Sequence, residues 1–291
     1  MYSKKRMSGS TVACSAQIAE LRERLAAADA VVAGAGAGMS ASAGLTYSGE
    51  RFTAYFADFI TRYHLTDMYS AGFYPFPTPE EYWAYWSRQI YWNRYDQPAR
   101  QPYLDLLTLL RDKEHFVITT NVDHQFQLAG ADRTRLFYMQ GDYGLWQCAK
   151  PCHAKTYDNE ATVRRMVAQQ QNMRIPAELL PRCPVCGGPM TMNLRVDDTF
   201  VEDAGWHAAA ARYAAFLRRT AAARVLYLEL GVGGNTPGII QYPFQRMTAA
   251  NPGAFYVSIN LCPSVCPPEV AGRSLCIPAD IGEVLHQLRS R

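Results

Sequence analysis

Eight cysteines occur in the 291 residues, and four of them form two close pairs. Cys148 and Cys152 are separated by three residues, Cys183 and Cys186 by two. Pro184 and Gly187-Gly188 give the second pair the shape of a zinc knuckle. Four thiolates at such spacing suit a tetrahedral Zn²⁺, and four protein ligands leave no open position, so the metal would be structural. The plain alternative is four free thiols in a loop, and His153 beside Cys152 is a rival ligand. Cys262 and Cys266 are also closely spaced, but Pro263, Pro267 and Pro268 mark a loop there. They are read with Cys14 and Cys276 as non-ligands.

Gly34-Ala35-Gly36-Ala37-Gly38 directly follows the apolar run Ala30-Val31-Val32-Ala33. A strand running into glycines is how a backbone comes close to a pyrophosphate, whose charge helix N-terminal amides then satisfy. The spacing is not G-x-G-x-x-G, and a tight turn packed by the two alanines is the alternative. Further polar turns follow apolar runs at Thr119-Thr120-Asn121-Val122-Asp123, Gln140-Gly141-Asp142, Gly231-Val232-Gly233-Gly234-Asn235 and Asn260-Leu261. Each alone is an ordinary turn. Together with the glycine segment they describe one crevice at the carboxyl ends of parallel strands, where open α/β sheets bind ligands.

The elements that must hold these groups are legible. Ile18, Leu21 and Leu25 predict an amphipathic helix over 15–28, after a frayed tail at 1–14. Residues 51–112 read as mostly helical: Thr78-Pro79-Glu80-Glu81 is a helix start, and the leucines from Leu104 to Leu110 belong to another helix. Apolar runs predict strands at 116–119, 136–139, 225–228, 255–259 and 274–277, with helices at 204–222 and 281–289. Strands alternating with helices imply a mostly parallel, doubly wound sheet. The cysteine-rich stretch 144–203 reads as an inserted module, 51–98 as the helical part of the same small domain, and 15–50, 99–143 and 204–291 as the nucleotide domain.

The composition sets limits. With 29 basic against 26 acidic residues, the charge excess is too small to suggest a nucleic-acid partner. No run approaches the ~20 apolar residues of a membrane span, and Met7-Ser8-Gly9-Ser10-Thr11 stands where a signal peptide needs an apolar core. A cytoplasmic protein without a membrane partner is the expectation.

The ordered motifs resemble those of the sirtuin family. Gly36-Ala37-Gly38-Met39-Ser40-Ala41-Ser42-Ala43-Gly44-Leu45 resembles its NAD loop, G-A-G-I-S-x-x-S-G-I. Thr119-Thr120-Asn121-Val122-Asp123 resembles T-Q-N-I-D, and Gln127-Leu128-Ala129-Gly130 the Q-R-A-G that follows. Gly231-Val232-Gly233 stands for G-T-S, Ile259-Asn260 for I-N, and Asp280-Ile281-Gly282-Glu283-Val284-Leu285 for the final G-D-A-x-x-V-L. The resemblance runs from about residue 30 to 288. It implies a Rossmann-like NAD domain with an inserted small zinc-binding and helical domain, and NAD between them. It also implies cofactor contacts from Gly36, Ala37, Gly38, Ser40, Gly44, Thr120, Asn121, Asp123, Gln140, Gly231, Gly233, Asn260, Leu261, Asp280 and Ile281, and zinc on Cys148, Cys152, Cys183 and Cys186.

Three departures point away from lysine deacylation. Gln140 stands where sirtuin deacylases have the histidine that deprotonates the ribose, and a neutral amide cannot take that proton. Thr46-Tyr47-Ser48-Gly49 replaces P-D-F-R, and Asp198-Thr199-Phe200-Val201-Glu202-Asp203 replaces the peptide-pairing V-V-x-F-G-E. These departures resemble the macrodomain-linked (class M) sirtuins, which implies NAD-dependent protein mono-ADP-ribosylation with release of nicotinamide and a link to oxidative stress. It further implies a lipoyl-carrier acceptor similar to the glycine cleavage H protein, and possible operon partners in a lipoate ligase and a macrodomain hydrolase. Asn121 and Gln140 are then the catalytic residues: Asn121 beside the reacting carbon, Gln140 orienting the ribose. Asp123 would hold the nicotinamide carboxamide. Two other readings stand beside this one. The first is a deacylase using another base, for which His124 is the nearby candidate, although a packed or solvated turn histidine is the plainer account. The second is an NAD or ADP-ribose sensor without turnover.

Overall fold

The computed structural model describes residues 7–234, 237–262 and 266–290, without the side chains of 7–14. Asn235 and Pro263, both in turns singled out above, lie outside the described residues. So do residues 1–6, whereas the first helix, α1 (Met7–Ala27), opens well before residue 15, so 7–14 are helix and not tail.

Six strands form one parallel sheet: β1 (Ala30–Ala35), β2 (Glu114–Thr119), β3 (Leu136–Tyr138), β7 (Val225–Leu230), β8 (Phe255–Ile259) and β9 (Ser274–Ile277). Their spatial order is β3-β2-β1-β7-β8-β9. Counting these six alone, that is the 3-2-1-4-5-6 order of a dinucleotide-binding fold, and the chain reverses direction across the sheet beside β1. Every residue of β1, β7 and β8 is buried, as strands covered on both faces require. One face packs on α1, α2 (Ala37–Ser42), α6 (Gln101–Leu110) and α11 (Ile281–Arg289). The other packs on α9 (Ala204–Arg219) and α10 (Gln241–Ala250).

A second core lies in two excursions from this sheet. The first, between β1 and β2, carries α3 (Glu50–Tyr63), α4 (Met68–Ala71) and α5 (Pro79–Ile90). Phe52, Phe56 and Phe59 place their rings on one face of α3, at the spacing of a helix stripe. Thr78 caps α5 by accepting from the Glu81 amide, with Pro79 in the first turn, as the sequence predicts. After α7 (Gln125–Leu128), the second excursion contributes β4 (Gly141–Cys148), β5 (Tyr157–Asp158), α8 (Glu160–Gln169) and β6 (Met190–Leu194). The three strands pair antiparallel in the order β5-β4-β6. Trp83, Trp86, Trp146, Met166 and Met190 join the phenylalanines of α3 in a single cluster, so both excursions share one core. The second sheet already begins at Gly141, inside the segment that the sequence pattern assigns to the first domain. Among the described residues, no helix is long and apolar enough to cross a membrane.

Candidate active site

The carboxyl ends of β1, β2 and β7 are held together by backbone. Gly36 and Gly38 donate to Leu230 and Gly231 carbonyls at 2.9 and 2.8 Å, and the Thr120 amide donates to Ala35 at 3.0 Å. A Cβ on Gly38 would lie 2.7 Å from Gly231 Cα, and one on Gly36 2.7 Å from the Gly231 carbonyl oxygen. This contact is a reason for the two glycines that the sequence alone does not show. Gly36 and Gly38 have no side chain because two strand-end turns touch there, so their bareness is not by itself evidence of a phosphate cradle. Gly231 has φ +64°, which suits glycine in the same contact.

A chain of hydrogen bonds crosses this floor. Asn121 Nδ2 donates to the Gly36 carbonyl at 2.9 Å and to the Tyr103 hydroxyl at 3.3 Å. Tyr103 lies 2.9 Å from Ser40 Oγ, which donates to Asp123 Oδ2 at 2.5 Å. The Gln125 amide satisfies Asp123 Oδ1 at 3.1 Å. Burial pushes the Asp123 carboxyl above its ordinary range, and Asp142 adds to this, against the Ser40 and Gln125 hydrogen bonds. Asn121 Oδ1 has no partner among the described residues. Gln140 is half-buried, and its side-chain amide also makes no hydrogen bond to a described residue, while its carbonyl accepts from the Arg195 amide at 3.0 Å. Asn121, Ser40 and Asp123 thus come together, linked by Tyr103. That tyrosine shares the apolar face of α6 with Leu106 and Leu110, so the sequence reads it as core and hides its hydroxyl.

The other residues expected to contact the cofactor have varied surroundings. Asp280 caps α11 through the Glu283 amide at 3.0 Å and accepts from Ser42 Oγ at 3.0 Å. Ile281 is buried in the first core. Asn260 Nδ2 donates to the Val232 carbonyl at 3.1 Å, and Leu261 is exposed. Gly44 has φ +81° with no atom close by, while Gly233 and Ala37 are exposed.

The segment in place of P-D-F-R is anchored on the second core. The Tyr47 hydroxyl lies 2.6 Å from that of Tyr143, which accepts from Gln89 at 3.1 Å, and Arg51 reaches Asn93 and the Trp92 carbonyl at 2.7 and 2.6 Å. Residues 198–203 form no strand. Gln147 and Asn193 partner the Val201 amide, the Val201 carbonyl and the Thr199 carbonyl at 2.8–3.0 Å, so the Val201 amide has no hydrogen left for a peptide. His124 is not merely solvated: it sits at φ 64° and its Nδ1 pairs with Asp142.

The four cysteines of the paired spacing converge. Their sulfurs lie within 4.8 Å of one another, with Cys148–Cys186 at 3.6 Å and Cys152–Cys183 at 3.7 Å. A tetrahedral ion with bonds of about 2.3 Å needs sulfurs roughly 3.8 Å apart, so the cluster fits Zn²⁺. The backbone amides of Cys186 and Val185 lower the Cys183 thiol to about 7, whereas desolvation and the neighbouring thiols push Cys152 up to about 12. Four thiols this close cannot all ionise without a cation among them. His153 Nδ1 lies 3.0 Å from Cys152 Sγ and its Nε2 lies 2.8 Å from the Tyr157 hydroxyl, which makes it a neighbour of the cluster and not a fifth member. Cys266 and Cys276 lie 2.8 Å apart, away from this group.

No family model matches the chain. A protein ADP-ribosyltransferase of Staphylococcus aureus is 46% identical over 266 residues, 91% of this chain and 84% of that protein. A probable bifunctional ADP-ribose hydrolase/ADP-ribosyltransferase of Fusarium oxysporum is 30% identical over 92% of this chain, which spans 47% of that longer protein. Among solved structures, a Sir2 enzyme matches with TM-score 0.60 and 20% identity over 94% of this chain and 96% of its own. A Sir2 complex with a peptide and NAD⁺ matches with TM-score 0.56 and 20% identity over 92% and 95%. Fold and sequence agree: the chain belongs to the sirtuin-like protein ADP-ribosyltransferases.

Proposed function

We propose that the protein transfers ADP-ribose from NAD to a protein acceptor and releases nicotinamide. The observation that carries this reading is Gln140, a neutral amide at the position of the deacylase base, in a protein that keeps Asn121, Ser40 and Asp123 and joins them through Tyr103. Binding the adenosine half of NAD would need neither Asn121 nor Asp123, which favours turnover over sensing. In this reading Asp123 holds the nicotinamide carboxamide, with Ser40 fixing the carboxyl in place. Asn121, pinned through its Nδ2, presents Oδ1 beside the reacting carbon. Gln140 orients the ribose hydroxyls without accepting a proton. NAD supplies the glycosidic bond whose cleavage leaves an electron-poor carbon, so a carboxylate acceptor needs little activation. The zinc cluster, closed by four thiolates, holds the second core in shape and takes no part in transfer.

The acceptor we propose is a lipoyl-carrying protein, on the resemblance to the macrodomain-linked sirtuins; a macrodomain hydrolase and a lipoate ligase are the partners that resemblance adds. The tied backbone of 199–201 supports an acceptor that docks as a folded surface and not as an added peptide strand. The test is nicotinamide release measured with NAD alone, with a lipoylated carrier and with an acetyl-lysine peptide. Stimulation by the carrier with ADP-ribose incorporated into it is the expected result; stimulation by the acetylated peptide alone would overturn it.

A further inference from the structure

His124, in the same turn as Asn121, forms an ionisable pair with Asp142. Asp142 is 4% exposed. Its Oδ1 accepts from Arg94 Nε at 2.9 Å and from the Gly144 amide at 2.7 Å, and its Oδ2 pairs with His124 Nδ1. Burial raises the Asp142 carboxyl, but the His124 hydrogen bond and the charges of His124 and Arg94 outweigh it and hold the group below its ordinary range. An ionised carboxylate only accepts, so Nδ1 carries a proton in either state of the ring, and when the imidazole is neutral the Nε2 lone pair is free. Nε2 makes no hydrogen bond to any described residue, and 18% of the side chain is exposed. Arg94 already balances the Asp142 charge, so the imidazole is not needed there as a counter-ion.

Three elements converge to build this pair. His124 follows Asp123 in the turn that carries Asn121, and it takes a left-handed conformation (φ 64°, ψ 14°) that non-glycine residues rarely adopt. Asp142 lies two residues past Gln140 on β4, and Arg94 comes from the π-helical turn Tyr91–Tyr95. A carboxylate that fixes one nitrogen of an imidazole and frees the other is the arrangement of a general base.

We infer that His124, oriented by Asp142, is a general base for acceptor groups that carry a proton, so that the acceptors of this enzyme include hydroxyl, thiol or amine groups as well as carboxylates. The inference rests on the transferase reading. In the step, the bond between ribose C1′ and the nicotinamide nitrogen breaks and its electron pair leaves with nicotinamide. The acceptor heteroatom bonds C1′, and its proton passes to His124 Nε2, leaving an imidazolium against the Asp142 carboxylate. An anionic acceptor has no proton to lose and bypasses His124.

Two small nucleophiles separate these cases: methanol, which must lose a proton, and azide, which need not. The protein is incubated with NAD and each nucleophile from pH 5.5 to 8.5, and methyl ADP-ribose and ADP-ribosyl azide are measured by mass spectrometry. Asparagine tolerates the left-handed conformation and can still donate to Asp142, so His124→Asn is the variant least prone to unfold. General-base catalysis contributes roughly 10²–10⁴-fold, so the methanol-to-azide product ratio should fall by about 10²-fold or more in His124→Asn. The methanol product should also lose the acid limb of its pH profile in that variant, with Asp142, Arg94 and Asp123 as the charged groups around the imidazole. A ratio and pH profile equal to those of the unaltered protein would overturn the inference, as would equal loss of both products, which marks a structural role. Failure of the unaltered protein to release nicotinamide with either nucleophile would overturn the transferase reading, and the inference with it.

Discussion

The glycine turn and the cysteine cluster are both short, motif-like segments, yet spacing meant different things in each. In the cluster, spacing translated directly into geometry: four sulfurs stand within 4.8 Å of one another, close enough for one ion to reach all of them. In the turn, the glycine spacing has a second cause that the sequence does not show. Gly36, Gly38 and Gly231 are bare because β1 and β7 end against each other. The lesson is that ligand spacing reports chemistry, whereas glycine spacing reports close approach and leaves open what is approached.

The contrast is sharpest when each region is broken. Cys183→Ser removes one of four ligands and should give the largest effect. Because metal binding contributes folding free energy directly, several kcal/mol of roughly 10–16 kcal/mol of binding should be lost. Elemental analysis and thermal unfolding check this, and a strong chelator should mimic it. A zinc-free protein of unchanged stability would remove the metal from the account.

Gly38→Val should come next, at about 2–4 kcal/mol, because its Cβ meets Gly231 backbone that cannot move aside. NAD affinity should fall together with stability. A fully stable variant that has lost NAD binding would restore the phosphate-cradle explanation.

Asp123→Asn should have the smallest effect on stability, and in the opposite direction. Its folded pKa is raised, so the folded state disfavours the ionised form. Above the ordinary carboxylate range the charge therefore destabilises, and the amide should be as stable as the carboxylate or more so. The gain should vanish as pH falls below 3.8, where both states are protonated. Melting temperature against pH measures it, and nicotinamide release should fall in the same variant. A variant less stable at neutral pH than at acidic pH, relative to the unaltered protein, would contradict this sign.

Much of this molecule was legible in its residues. The buried runs at 30–33, 116–119 and 255–259 are strands, Thr78 is a cap, and the paired cysteines meet, because burial, capping and the spacing of metal ligands each impose a local pattern. The polar network was legible only in part. Tyr103 joins Asn121 to Ser40 through a hydroxyl on a helix face that reads as core, and Arg94 reaches Asp142 across 48 positions of sequence. Such pairings are made by tertiary contact, so no local period announces them. Asp280 shows the converse: a motif residue whose Oδ1 also caps α11.

The central claim is that this site transfers ADP-ribose and does not deacylate. The most direct measurement follows the unaltered protein, Gln140→Ala, Gln140→His and Asn121→Ala in two parallel assays: NAD-dependent labelling of a lipoylated carrier, and acetate release from a lysine peptide. The account predicts labelling by the unaltered protein, a partial loss in Gln140→Ala, and a larger loss in Asn121→Ala. It also predicts negligible deacetylation throughout, Gln140→His included, because the Val201 amide is already bonded to Gln147 and 198–203 form no strand. Efficient deacetylation by the unaltered protein would contradict it.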